Sequence, residues 1–187
     1  MHSYKKIHEF YSENSDSKVL LVEDLTEMEL KSGSKQEYQR AFVKHCLSEY
    51  LGEEITVFHK ESGAPFITQP RRLQISISHS KNLFSIQISK NQLVGVDVQG
   101  FKKDLMKSKE YFANEKELGD IELTELNLHL IWSAKEAIYK LLEGDIDQYK
   151  EGITVKKISD KEIWVEVNAK TYKCGYLATN EYVLVYS

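Results

Sequence analysis

The run Leu73–Ser78, LQISIS, alternates apolar and polar residues without exception, and Leu83–Ser89, LFSIQIS, resumes after Ser80-Lys81-Asn82. Strict alternation fits strands with one buried face. So short a connection returns the chain antiparallel, because a parallel crossover needs a dozen residues or more. Leu93–Val98 follows after Lys90-Asn91-Gln92, so the pattern predicts a three-strand antiparallel meander. The first and third strands of a meander point the same way. Ser78 and His79 leave the first, and Asp97 and Gln99 leave the third. These four residues would lie along one sheet edge, with His79 and Asp97 as neighbours.

Around this centre the chain changes period. Lys18–Val22 reads as a strand, followed by the acidic Glu23, Asp24 and Glu27 and by a break at Ser32–Ser34. Lys35–Leu51 then carries Tyr38, Ala41, Phe42, Cys46, Leu47 and Tyr50 at helical spacing, and Gly52 supplies a stop. Ile55–His59 alternates like a strand, and Ser62–Pro65 is a turn. Lys107–Leu118 reads as a helix. Glu122–Leu142 reads as a longer one with Leu123, Leu130, Ile131, Ala134, Ile138 and Leu141 on its apolar face, its regular part starting after Asn127. Ile153–Ile158, Glu162–Val167, Tyr172–Ala178 and Tyr182–Tyr186 read as strands. Helix, meander, helices, meander is an α+β order with antiparallel sheets.

The 187 residues suffice for one large domain or two small ones, and 41% hydrophobic residues suffice for a core. A net charge of -4 argues against nucleic-acid binding. No run approaches the ~20 apolar residues of a membrane span, and the N-terminus has no apolar signal region. The expectation is a soluble, cytoplasmic chain. Cys46 and Cys174 have no metal-ligand spacing and read as free thiols, with one disulfide as the alternative. The two prolines, Pro65 and Pro70, mark no linker.

Three places carry chemistry. Glu136 and Lys140 are four apart, so they share a helix face, with Lys135 and Tyr139 beside it and Trp132 one turn earlier. A carboxylate and an ammonium so placed suit a divalent cation next to a phosphate. Asp97 sits in GVDVQ at a strand end, on the same face as Gln99, with Gly95 allowing close backbone approach. His79 lies between Ser78 and Ser80, where hydroxyls, a ring N–H and turn amides can cradle a phosphate. Each also has an ordinary structural reading: a solvated Glu–Lys pair, an edge-strand Asp before a turn, a turn histidine. No nucleophile elbow supports a Ser/His/Asp hydrolase.

In order, ISISHS, GVDVQ and WSAKEAIYK (Trp132–Lys140) resemble the phosphopantetheinyl transferase superfamily. YFANEKE at Tyr111–Glu117, SGAPFI at Ser62–Ile67 and KQEYQRAFVKHCL at Lys35–Leu47 are similar to further family segments. The length suits the single-chain type related to surfactin-synthetase activators. The resemblance implies a pseudo-dimer of two α+β halves, residues 1–92 and 93–187, with coenzyme A (CoA) between them and the boundary near Leu93. It implies Mg2+-dependent transfer of 4′-phosphopantetheine from CoA to a serine of an apo acyl or peptidyl carrier protein, releasing 3′,5′-ADP. Asp97 and Glu136 match metal-binding carboxylates, and Lys140 matches a lysine on the CoA phosphates. Ser78, His79 and Arg40 match phosphate contacts. Such a chain acts as a monomer.

Two positions depart from the pattern. Gln99 stands where a second acid is usual, so it offers the metal only an amide oxygen. Ala64 replaces a lysine, for which Arg71 or Arg72 would compensate. Glu136 then becomes the favoured base for the carrier serine, with a metal-bound hydroxide as the alternative. Lys102, Lys103, Lys107 and Lys109 would steer an acidic carrier. The departures keep two rivals open: a non-catalytic CoA- or carrier-binding relative, and a Mg2+-dependent CoA pyrophosphate hydrolase.

Overall fold

The computed structural model describes residues 2–12, 16–26, 33–69 and 71–187. Glu27, Ser32 and Pro70 lie outside them. Two antiparallel sheets divide the chain. The first contains β1 (Tyr4–Tyr11), β2 (Ser17–Asp24), β3 (Val57–His59), β4 (Pro65–Ile67), β5 (Leu73–Ser80) and β6 (Leu83–Ser89), in the order β1-β2-β6-β5-β4-β3. The second contains β7 (Val96–Gly100), β8 (Thr154–Ser159), β9 (Glu162–Val167), β10 (Lys170–Ala178) and β11 (Tyr182–Tyr186), in the order β7-β11-β10-β9-β8. The chain passes between the sheets after Ser89 and before Val96.

Leaving out β1, the two orders are the same. Each half has a strand, a long helix and a four-strand meander, and the leading strand pairs with the last strand of the meander. The helices are α1 (Lys35–Leu51) and α3 (Glu125–Leu141), each 17 residues, or about 25 Å. Between β7 and α3 come a 3₁₀ segment (Leu105–Tyr111) and α2 (Glu115–Asp120). The short α4 (Tyr149–Gly152) follows α3. The α+β fold with two similar halves is therefore present.

Local chemistry explains the helix bounds. Ser34 caps α1 by accepting from the Glu37 N–H while Glu37 reaches back to the Ser34 N–H, and Gly52 ends it at φ 71°. Phe42, Val43, Cys46 and Leu47 are buried under α1, whereas Ala41 is exposed. In α3, Thr124 caps the Asn127 N–H, so the helix starts before Asn127 and not after it. The single helix expected over Lys107–Leu118 is two pieces. The chain breaks before Asn114, whose side chain caps α2 in a second capping box with Glu117.

The expected three-strand meander is corrected. β5 and β6 do pair, but the other edge of β6 is taken by β2. β7 therefore joins the second sheet, antiparallel to β11. β2 is apolar on consecutive residues because both its faces are buried. Leu20 and Val22 face the core under α1, and Val19 and Leu21 face the seam between halves. β1 pairs with β2 through a register shift between Lys6 and His8, which breaks the alternation that would have announced it.

Val19, Leu21, Val96, Val98, Tyr182 and Leu184 are buried together in that seam. At about 2 kcal/mol each, they outweigh any hydrogen bond across it at about 1 kcal/mol. The halves are held by apolar contact, and polar groups set the register. Cys46 and Cys174 are free thiols in separate cores, and burial pushes each up to about 12. Among the described residues no helix is long and apolar enough to cross a membrane.

Candidate active site at the seam

The alternation of β5 puts Ser76, Ser78 and Ser80 on the face opposite α1. All three reach β7. Ser76 Oγ accepts from the Val96 N–H at 3.0 Å, and Ser80 Oγ accepts from the Gly100 N–H at 2.9 Å. Between them Ser78 Oγ donates to Asp97 Oδ1 at 2.7 Å. β7 is thus fastened to β5 by side chains, although the two strands belong to different sheets. The sheet edge expected from the sequence does not exist, yet Ser78 and Asp97 meet.

Asp97 is nearly fully buried and every oxygen it has is used. Lys140 Nζ donates to Oδ1 at 2.9 Å and to the Val96 carbonyl at 3.0 Å, and Gln99 Nε2 donates to Oδ2 at 3.1 Å. Lys140 reaches this far because α3 lies directly on β7. A Cβ on Gly95 would stand 1.9 Å from the Ala137 carbonyl oxygen, so only glycine fits.

Glu136, one turn before Lys140, does not pair with it. Tyr149 OH donates to Glu136 Oε1 at 2.7 Å. Burial, and then the charge of Glu136, push the Tyr149 phenol above its ordinary range, and the more distant charge of Asp97 adds to this. Lys135, expected beside this face, points the other way. It is buried in an ion pair with Glu117 at 2.9 Å and donates to the Lys150 carbonyl at 2.7 Å. Burial raises Glu117 and lowers Lys135, each opposed by the partner's charge. Trp132 also leaves the site: it stacks on Phe112 at 5.3 Å, with Lys102 Nζ 3.8 Å over its ring. Of the other expected steering lysines, Lys107 pairs with Asp104 at 2.9 Å.

On the N-terminal side a cavity of about 460 Å3 opens between α1 and the sheet. Arg40, Lys44, His59 and His79 line it, over Ile77 and Phe84. His79 keeps an exposed edge, but its ring lies 5.5 Å from that of Phe84. Burial, then Lys35 and Lys140, lower its pKa, and Asp97 opposes them. A smaller hollow of about 270 Å3 shares Pro65 and Ile77 with this cavity and is lined by Ala64, Ser76, Tyr139 and Lys140. Lys60 pairs with Glu143 beside it. Arg71 does not compensate for Ala64: its guanidinium is held by Glu53 at 2.7 Å, and it lines a different hollow with Tyr11 and Lys18.

The sequence reading missed Lys44, Lys60, Glu117 and Tyr149. Lys44 was legible as α1 spacing, four after Arg40. Tyr149 carries no sequence signal, because it reaches the site through a turn after the helix.

The donor set fits a magnesium ion incompletely. Among the described residues no group of three His, Cys, Asp or Glu side chains gathers at one point. Asp97 and Glu136 are the two carboxylates, and Glu136 Oε2 has no protein partner among the described residues. Magnesium commonly takes one or two carboxylates and completes its shell with water and substrate phosphate, so two suffice. Gln99 turns its amide N–H to Asp97, and the ammonium of Lys140 sits against the same carboxylate. No protein-family model matches the chain, and no curated protein matches it.

Proposed function

We propose that the chain is a Mg2+-dependent 4′-phosphopantetheinyl transferase, moving 4′-phosphopantetheine from CoA to a serine of an apo acyl or peptidyl carrier protein in the cytoplasm. One observation carries the reading. A strand-end carboxylate, Asp97, is bonded to Lys140, with Glu136 one turn before it, at the seam of two halves with repeated topology and close to a cation-lined cavity.

In this reading residues 1–92 hold the nucleotide end of CoA. Arg40 and His79, with Lys44 beside them, take the 3′-phosphate in the cavity. Residues 93–187 hold the reacting end. Asp97 and Glu136 hold the cation, which when bound withdraws negative charge from the pyrophosphate. Lys140, held by Asp97 and the Val96 carbonyl, turns its third N–H to the phosphate oxygens. The carrier serine attacks the β-phosphorus, a new P–O bond forms, and the pyrophosphate P–O bond breaks to release 3′,5′-ADP. Glu136 accepts the serine proton on Oε2 when the cation rests on Asp97 alone, and a cation-bound hydroxide would accept it when Oε2 holds the cation. Both halves come from one chain, so a monomer suffices.

The test is to mix the protein with Mg2+, CoA and apo-carriers of the acyl and peptidyl kinds and to weigh the carriers. A gain of one phosphopantetheine supports the reading. CoA cleavage with unmodified carrier makes the chain a hydrolase. CoA binding without either makes it a binding relative.

A further inference from the structure

We propose that Tyr149 is a positioning residue for Glu136, aimed by the buried Glu117–Lys135 pair. The inference rests on the transferase reading of the site. The Tyr149 hydroxyl donates to Glu136 Oε1 at 2.7 Å, and its ring stands edge-on to Tyr139 at 5.6 Å. Yet α4 has only four residues and no side-chain cap, too short to be stable by itself. Something else must hold it.

That something is buried charge. Lys135 Nζ donates to the Lys150 carbonyl at 2.7 Å, and Asn114 Nδ2 reaches the same oxygen at 3.4 Å. Glu117 Oε1 accepts from the Val155 N–H at 2.7 Å, and its Oε2 accepts from the Asn114 N–H at 2.8 Å and faces Lys135 at 2.9 Å. Both side chains are 0% exposed. A hydrophobic pair of similar volume generally serves stability as well as a buried ion pair does. An apolar pair could not grip a backbone carbonyl. The grip falls on the residue next to Tyr149, and Lys135 is the chain neighbour of Glu136. One turn of α3 thus supplies both the carboxylate and the anchor for the hydroxyl that orients it.

The consequence lies in the oxygens of Glu136. Oε1 is taken by Tyr149, which leaves Oε2 to face the cation or the serine. A third carboxylate on a shared cation would otherwise help fix Glu136, but Gln99 stands in that place. A hydrogen bond from Tyr149 fixes it instead.

The experiment uses the full chain and Mn2+ as the probe, with free Mn2+ read by electron paramagnetic resonance in the presence of CoA. Tyr149→Phe should weaken Mn2+ binding and lower kcat about 10-fold each, with the KM for CoA within twofold of the wild type, because Tyr149 does not line the nucleotide cavity. The double variant Glu117→Leu with Lys135→Met replaces the ion pair by apolar volume. It should melt lower, because the Val155 and Asn114 N–H groups and the Lys150 carbonyl lose buried partners, and at a temperature where it is still folded it should lose Mn2+ affinity as Tyr149→Phe does. Wild-type Mn2+ affinity and kcat in both variants overturn the inference and leave the transferase reading standing. A wild type that binds no Mn2+ and modifies no carrier overturns both.

Discussion

The two halves share a topology but prepare their functional groups in opposite ways. In the N-terminal half, Arg40, Lys44 and His79 line an open cavity, and the acid that Lys44 holds at 3.3 Å, Glu54, is itself on the surface. In the C-terminal half, Asp97, Lys140, Glu136 and Tyr149 are already bonded to protein partners. Exposed cations can follow a ligand's phosphate, which suits binding. Groups bonded before a substrate arrives suit chemistry, where geometry must not be rebuilt at each turnover. On the transferase reading, one half is built for capture and the other for reaction.

The most direct way to break this comparison is at Glu136. Glu136→Gln keeps the shape and removes both the negative charge and the base, so transfer should fall at least about 10³-fold. Gln99→Ala removes only an amide that donates to Asp97, so the loss should stay near 10-fold. Carrier mass against time measures both. If Gln99→Ala is the worse variant, Glu136 is not the base.

A second break lies in the support of the reacting half. Lys135→Met alone leaves Glu117 charged and unpaired in the core and should cost about 3–5 kcal/mol by urea unfolding. Arg40→Met, at an exposed cavity wall, should cost under about 0.5 kcal/mol. Similar losses at the two positions would erase the distinction between a bonded half and an open one.

These contrasts mark how far the sequence could be read. The period of the residues gave α1, β5, β6, β9 and β11 with nearly their own bounds, because turn or cap residues delimit each run, even where both faces are buried as in β6 and β11. β7 misled, since three short runs in a row look like one meander until β2 arrives from an earlier part of the chain to occupy the edge of β6. His79 was the expected neighbour of Asp97, but the residue bonded to Asp97 is Ser78, and a serine ladder across two sheets, not one sheet edge, brings it there. Lys135 was misplaced because the charge of a side chain suggests solvent, and only the fold supplies its partner, Glu117. What periodicity cannot carry is any contact made after a turn, and Tyr149 is such a contact.

The capturing half can be sharpened through His79. Burial and two lysines lower its pKa from the ordinary imidazole value, so the free ring is mostly neutral at pH 7. A bound phosphate dianion raises it again. A group whose pKa rises on binding strengthens binding at low pH, and that gain is lost as pH rises through the pKa of the complex. CoA affinity should therefore increase as pH falls from 8 toward 6, with proton uptake visible as a buffer-dependent heat in calorimetry. His79→Asn should abolish the uptake and weaken CoA about 10-fold at pH 6.5, and dephospho-CoA should show neither effect. Equal proton uptake with dephospho-CoA would take His79 off the 3′-phosphate.

The smallest effect tests the join between the halves. Ser76 and Ser80 both accept from a β7 N–H, but Ser76 is buried and Ser80 is partly open. Removing a buried acceptor leaves its donor without water, at about 1–3 kcal/mol, whereas water replaces an open one at about 0.5 kcal/mol. Ser76→Ala should thus lower stability more than Ser80→Ala in the same urea titration. The apolar seam remains in both variants, so both should stay folded and keep Asp97 under Ser78. If Ser80→Ala instead destabilises as much as Ser76→Ala, the ladder is equally dry along its length. The halves would then be locked up to the mouth of the site, and the open, adjustable character assigned to the capturing half would stop at α1 and not extend to β5.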